Sequence, residues 1–254
     1  MEKAQVISSM ISRGTFDEMV DQILAYGKNH QSAYTCCANV HMVVEAFRDK
    51  ELRDVVNNAD MATPDGMPLA KAMKLNHGIE QERVAGMDLF PALLEKASKQ
   101  GIKVFFYGDQ DAILDQLEAR VKEDFKGIQI AGRFSPPFRE LAQSEKDDIV
   151  EMINGAGTQL LFVALGCPKQ EKWMAEHRGI ISASMIGVGN AFRAYLGIEK
   201  RAPMWMQKVA MEWFYRLVQN PKRLWKRYFV TNSLFLLLTI KGLIFRPSVS
   251  PSSA

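Results

Sequence analysis

Short apolar runs alternate with segments of helical period along most of this chain. That alternation constrains the fold more than any other feature. "AYTCCANV" leads into "VHMVVEAFRD", with Asn39 placed to cap the helix, and "IKVFFYG" leads into "DQDAILDQLEARVKEDF". "GIQIAG" runs through the loop "RFSPPFRE" to "EKDDIVEMINGAG", "TQLLFVALG" precedes "CPKQEKWMAEHRG", and "SASMIGVG" comes last. Such runs between 3.6-period segments predict an α/β fold, a Rossmann-like, mostly parallel sheet with helices on both faces. At 254 residues the chain can form one large α/β domain or two small ones. Ligands of open parallel sheets bind beyond the carboxyl ends of the strands. The loops to inspect are therefore Cys36–Asn39, Thr63–Gly66, Gly108–Asp111, Gly166–Gln170 and Gly187–Asn190.

Each of these loops admits two readings. In "ADMATPDGMPLA", Asp65 stands between Pro64 and Gly66 on a stiffened turn, either as a turn-and-cap residue or as a held carboxylate at the sheet edge. "GVGNAF" suits a phosphate-cradling loop, yet it lacks the third glycine of the dinucleotide fingerprint; its glycines equally suit close helix packing. Asp109-Gln110-Asp111 resembles a metal-binding Asp-x-Asp and also suits a helix start, where acids complement the dipole. "GCPKQEKW" is either an anion-facing first turn or an ordinary strand-to-helix corner. His30, His41, His77 and His177 share no ligand spacing, and the three cysteines form neither a disulfide framework nor a zinc motif. The cysteine usage fits a reducing cytoplasm. "MEKAQVISSM" does not read as a signal peptide.

Charge is unevenly distributed. From Arg193 onward there are eleven Lys/Arg against two acids, Glu199 and Glu212, so the first 192 residues carry −6 within an overall +3. A basic tail on an acidic body points to an anionic partner. "APMWMQKVAMEWFYRLVQ" reads as a helix, and "NPKRLWKRYFVTNSLFLLLTIKGLIF" restarts with Asn220 as cap and Pro221 as first helical residue. Arg216, Lys222, Arg223, Lys226 and Arg227 alternate with Trp225 and Tyr228. The apolar stretch from Leu234 to Phe245 is shorter than the ~20 residues a bilayer crossing needs. The pair reads as a peripheral membrane element or as a hairpin docked on the core with a solvated basic face. No nucleic-acid fold motif accompanies the basic residues, so nucleic acid is not expected as a partner.

Taken in series, "TPDGMPL", "RVAGMDLF", "GCPKQEKWM", "GVGNAF…KRAP" and "EWFYRLVQNPKRLWKRY" resemble the WecB/TagA/CpsF group, glycosyltransferase family 26, from about Tyr34 to Phe235. The resemblance implies an α/β transferase body over 1–200 and a basic, aromatic helical appendage over 201–246; the composition of the last residues, 247–254, reads as a loose tail. It implies an inverting, metal-independent enzyme without a cofactor, moving a sugar from a UDP donor to a polyprenyl-diphosphate-linked acceptor for cell-surface polysaccharide or teichoic-acid synthesis. The expected location is the cytoplasmic face of the cell membrane, with homo-oligomers possible in principle. By family position Asp65 is the general base, and Arg83 and Gln170 complete the catalytic set. Cys37, Asn39, Thr63, Arg216, Arg223 and Arg227 are expected at the substrate. Gly108, Gly166, Gly189 and Arg193 are expected at UDP.

Two departures stand out from the family pattern. Cys37 replaces a hydroxyl residue, and Arg193 stands where an acid is typical. Arg193 is compatible with a carboxylate-bearing donor sugar, with a structural acid whose partner has changed, or with an inactive member that binds lipid-linked sugar as a scaffold.

Overall fold

The structure, a computed structural model, describes residues 1–244; the side chains of Lys208, Arg223, Arg227 and Ile244, and all of 245–254 including the expected loose tail, lie outside the described residues. The chain opens with an antiparallel hairpin, β1 (Lys3–Val6) and β2 (Ser9–Ser12), and then α1 (Phe16–Lys28). Thr15 and Glu18 start α1 with a reciprocal capping box. The βα alternation follows: β3 (Ala33–Ala38), α2 (Val40–Arg48), α3 (Lys50–Asn58), β4 (Met61–Pro64), α4 (Met67–His77) and α5 (Gly86–Gln100). Next come β5 (Lys103–Gly108), α6 (Asp111–Asp124), β6 (Gln129–Phe134), α7 (Gln143–Gly155), β7 (Leu160–Ala164), α8 (Lys169–Glu176), β8 (Ser184–Gly187) and α9 (Ala191–Tyr195). Three helices end the described chain: α10 (Met204–Lys208), α11 (Glu212–Gln219) and α12 (Pro221–Ile244).

β3 to β8 form one six-stranded sheet in the order β4-β3-β8-β7-β5-β6, every neighbour parallel. The strands are apolar on both faces, and their alternate side chains feed two cores. Phe105, Tyr107, Leu161 and Val163 pack with α2, α3, α4, α7 and α8, whereas Val104, Phe106, Leu160 and Phe162 pack with α1, α5, α6 and α9. On the second face Phe90 meets Phe162 edge-on at 4.9 Å and Phe192 at 5.3 Å. This rigid double-sided packing holds the strand ends in fixed register.

Sequence and structure differ at both ends of the chain. The hairpin and α1 were not anticipated: the hairpin turns on Ile7-Ser8, with Ile7 at φ 59°, and no Asn-Gly or Gly-x marks it. Ser12 Oγ accepts the Ala62 N–H at 3.0 Å, seating the hairpin against β4. The single helix expected from "APMWMQKVAMEWFYRLVQ" is two, because Ala210 adopts φ 65° between α10 and α11. α12 does begin at Pro221 and docks on the body through buried Phe235. Among the described residues no helix is long and apolar enough to cross a membrane.

Candidate active site

The carboxyl ends of β3, β4, β5, β7 and β8 open into a cleft of about 1110 Å³. Cys37, Asn39, Asp65, Asp109, Gly166, Gln170, Gly189, Arg193 and Arg216 all face it. A second cavity of about 400 Å³ lies between α2, α4, α11 and α12, lined by Met67, Pro68, Leu75, Trp213, Phe235 and Leu236 among others. Asn39, Asp65, Arg216 and Tyr228 line both. Asp65 thus stands where a polar cleft meets a largely apolar one.

The turn that carries Asp65 is tied down on both sides. The Asp65 N–H donates to Ala38 O at 2.8 Å, and Gly66 takes φ 129°, a conformation costly for any side chain. Among the described residues its Oδ2 accepts only a long 3.4 Å bond, from the Gly86 N–H at the start of α5. Burial, and then the charge of Glu212, push the Asp65 carboxyl up to about 7, against opposing pulls from Arg83, the Gly86 N–H and Arg216. A base with this affinity for protons is matched to removing one from a hydroxyl near neutral pH. Asp65 does not cap the helix that follows it: α4 has Gly66 as N-cap with no side-chain bond, and the Asp65 carboxylate turns instead to the first N–H of α5.

The neighbours of Asp65 are mostly held by protein. Cys37 and Thr63 are register partners on β3 and β4, both buried, and burial raises the Cys37 thiol. Asn39 caps α2 as expected, accepting the Met42 N–H at 3.1 Å. Gln170 Oε1 accepts N–H groups from both Gly166 (3.2 Å) and Gly189 (3.1 Å), while its amide donates to Glu171 at 2.7 Å. It stitches together the loops after β7 and β8. Gly108, at φ 109°, admits no side chain, since a Cβ would lie 2.7 Å from the Ala164 carbonyl.

Asp109 settles neither of its expected roles. Gln110 is the N-cap of α6, and only Asp111 sits in the first turn. Asp109 instead forms a two-pronged pair with Arg193, Nη2 to Oδ1 at 2.6 Å and Nε to Oδ2 at 2.9 Å. Arg193 therefore has a structural partner on the neighbouring loop. Arg216 Nη2 lies 3.9 Å from Glu199, which also holds Asn190. Arg223 and Arg227 belong to α12, with side chains outside the described residues. Among the described residues no group of His, Cys, Asp and Glu is arranged to hold a metal ion.

Three contributors escaped the sequence reading. Glu171 is fully buried, which pushes its carboxyl up, and it orients Gln170. Glu199 and Glu212 are the two acids in the basic end of the chain, and both face site cations. That scarcity was the signal available for them.

The sequence model of the Glycosyl transferase WecG/TagA/CpsF family matches residues 4–248. The chain belongs to this family. Among its relatives is the N-acetylglucosaminyldiphosphoundecaprenol N-acetyl-beta-D-mannosaminyltransferase of Bacillus spizizenii strain W23. The two are 34% identical over 203 residues, 80% of this chain and 77% of the relative. The protein of the same name from Bacillus subtilis strain 168 is 33% identical over 190 residues, 74% of this chain and 72% of the relative. This glycosyltransferase therefore presents its family motifs at one sheet edge: "TPDG", "GCPKQ" and "GVGN" all reach the same cleft.

Proposed function

We propose that this glycosyltransferase moves a hexosamine-type sugar from a UDP donor to a sugar carried on a polyprenyl diphosphate, with inversion and without a metal. The observation that carries the reading is the position of Asp65 on the wall shared by the two cavities. The larger cleft suits the nucleotide: it offers strand-end glycines, the N-terminus of α8 and the cations Lys169 and Arg216. The smaller suits the lipid-proximal sugar of the acceptor, with apolar walls from α4, α11 and α12.

At the junction, Asp65 takes the proton of the acceptor hydroxyl as its oxygen bonds to the anomeric carbon. The bond from that carbon to the diphosphate breaks, and its electron pair leaves with UDP. Negative charge growing on the diphosphate is met by Arg216, Lys169 and the positive dipole end of α8, which do the work a divalent cation does elsewhere. Gln170 serves by holding the Gly166 and Gly189 loops in place. The relatives' names specify a β-mannosaminyl product, and a β product from an α-linked nucleotide sugar requires inversion. The exposed aromatic side chains of α12, Trp225 and Phe229, support contact of the acceptor end with the cytoplasmic face of the membrane.

The test is turnover with a short-chain polyprenyl-diphosphate GlcNAc acceptor and a panel of UDP-sugars in the presence of EDTA. One donor should be consumed, and Asp65→Asn should lower the rate ~100-fold or more, as expected for loss of a general base. Full activity of that variant would remove Asp65 from the mechanism.

A further inference from the structure

Arg83, expected in the catalytic set, has its guanidinium occupied by the protein itself. Its Nη2 reaches Asp88 Oδ2 at 2.5 Å and Gln207 Oε1 at 2.8 Å, and its Nη1 reaches Glu212 Oε2 at 3.3 Å. Arg201 binds the other oxygen of Asp88 at 2.7 Å, and the Gln207 amide donates to Ala202 O at 2.7 Å. Arg83 and Asp88 belong to the body, at the entry and first turn of α5; Gln207 and Glu212 belong to α10 and α11. These side chains clasp the two parts together across a half-buried interface, where charge pairs are weakly screened.

Glu212 does a second thing there. It lines the same 400 Å³ cavity as Asp65, and the two are the only acids on that wall among the described residues. The other titratable groups facing Asp65 come from every packed element: Cys37 from β3, His41 from α2, Lys71 from α4, Arg83 before α5, Arg216 from α11 and Tyr228 from α12. Within this set Glu212 is the carboxylate that opposes ionisation of Asp65.

We propose that Glu212 is a positioning residue for Asp65: seating α10 and α11 brings its carboxylate onto Arg83 and beside Asp65, so the strength of the base depends on that seating. Arg83, in consequence, acts by carrying Glu212 and Asp88, and its loss would act on the base as well as on the clasp. After burial, Glu212 is the largest influence raising the Asp65 carboxyl, which agrees with the geometry. The coupling gives a reason for an acid at the start of α11 in an otherwise basic segment. The inference rests on Asp65 acting as the base, and the experiment separates the two.

Carbon-13 carboxyl resonances of aspartate-labelled full-length protein are titrated, with Asp65 assigned by its disappearance in Asp65→Asn. Glu212→Gln keeps the shape and the bond to Arg83 but removes the charge; Glu212→Asp keeps the charge. Thermal melts confirm that both fold. The Asp65 midpoint should fall in Glu212→Gln and stay in place in Glu212→Asp. The acid limb of kcat/KM should follow it. A midpoint lowered by about half a pH unit should raise turnover at pH 6, relative to pH 8, about 2.5-fold. A folded Glu212→Gln with an unmoved midpoint, or an equal displacement in Glu212→Asp, overturns the proposal. A midpoint that moves while the kinetic limb does not supports the coupling and sinks Asp65 as the base.

Discussion

A carboxylate proposed to take a proton from an alcohol must bind that proton well, and burial and Glu212 both push Asp65 in that direction. The same arrangement has a stability consequence whose sign can be worked out. The folded protein binds the Asp65 proton up to about pH 7, whereas the unfolded chain releases it near 3.8. The resulting stabilisation is complete below the unfolded value and is lost as pH rises through 7. Asp65→Asn stays neutral throughout, so its melting temperature should gain on that of the unaltered protein from pH 4 to pH 7 and level off above. The gap corresponds to on the order of a few kcal/mol. Equal pH dependence of the two melts would show that Asp65 is ionised in the folded state at acid pH. In the same range the turnover of the unaltered enzyme should rise through about pH 7, as the base becomes free to accept. Features that follow from a residue's own turn, such as the place of Asp65 at the sheet edge between Pro64 and Gly66 or Asn39 as a cap, were legible in the sequence. Glu212 and Asp109 were not, because each acts on a partner more than 80 positions away.

At the scale of elements, strands and helices were legible wherever they lay inside the βα alternation and obscure where local chemistry was atypical. The β1–β2 hairpin turns on a β-branched residue at positive φ, which no turn rule favours. It persists because Ile7 packs on the core and Ser12 bonds to β4. The break between α10 and α11 is similar: no Gly or Pro announces it, and Ala210 takes the left-handed conformation between Gln207 and Glu212, which both reach Arg83. An alanine there costs about 1 kcal/mol, part of which glycine gives back in the unfolded chain. Ala210→Gly should therefore slow amide exchange in α10 and α11 by a factor corresponding to roughly 0.5 kcal/mol. Faster exchange would mean that the bend is not strained.

Across the whole molecule, charge and exposed apolar surface are segregated together. The net negative charge lies before Arg193, and the excess of eleven basic residues over two acids runs from Arg193 onward. α12 buries Leu224, Thr231, Phe235 and Thr239 against the body and leaves Trp225, Phe229 and Leu237 exposed. If this face meets anionic lipid, binding to phosphatidylglycerol vesicles should weaken steeply with salt and fall tenfold or more in Phe229→Ala, given about 2 kcal/mol for burying such a side chain. Tighter binding to duplex DNA than to vesicles at equal ionic strength would sink the membrane reading.

Fold class, family and the loops that line the cleft could be read along the chain, because periodicity and turn chemistry are local and parallel sheets place their ligand loops at one edge. Which charges face one another emerged with the packed molecule. Arg193 meets Asp109, Arg83 meets Glu212, and Gln170 bridges two glycine loops. Those pairings depend on strand order and on how α11 is seated, and Coulombic and hydrogen-bonding partners are chosen by distance in space, on which spacing along the chain is silent.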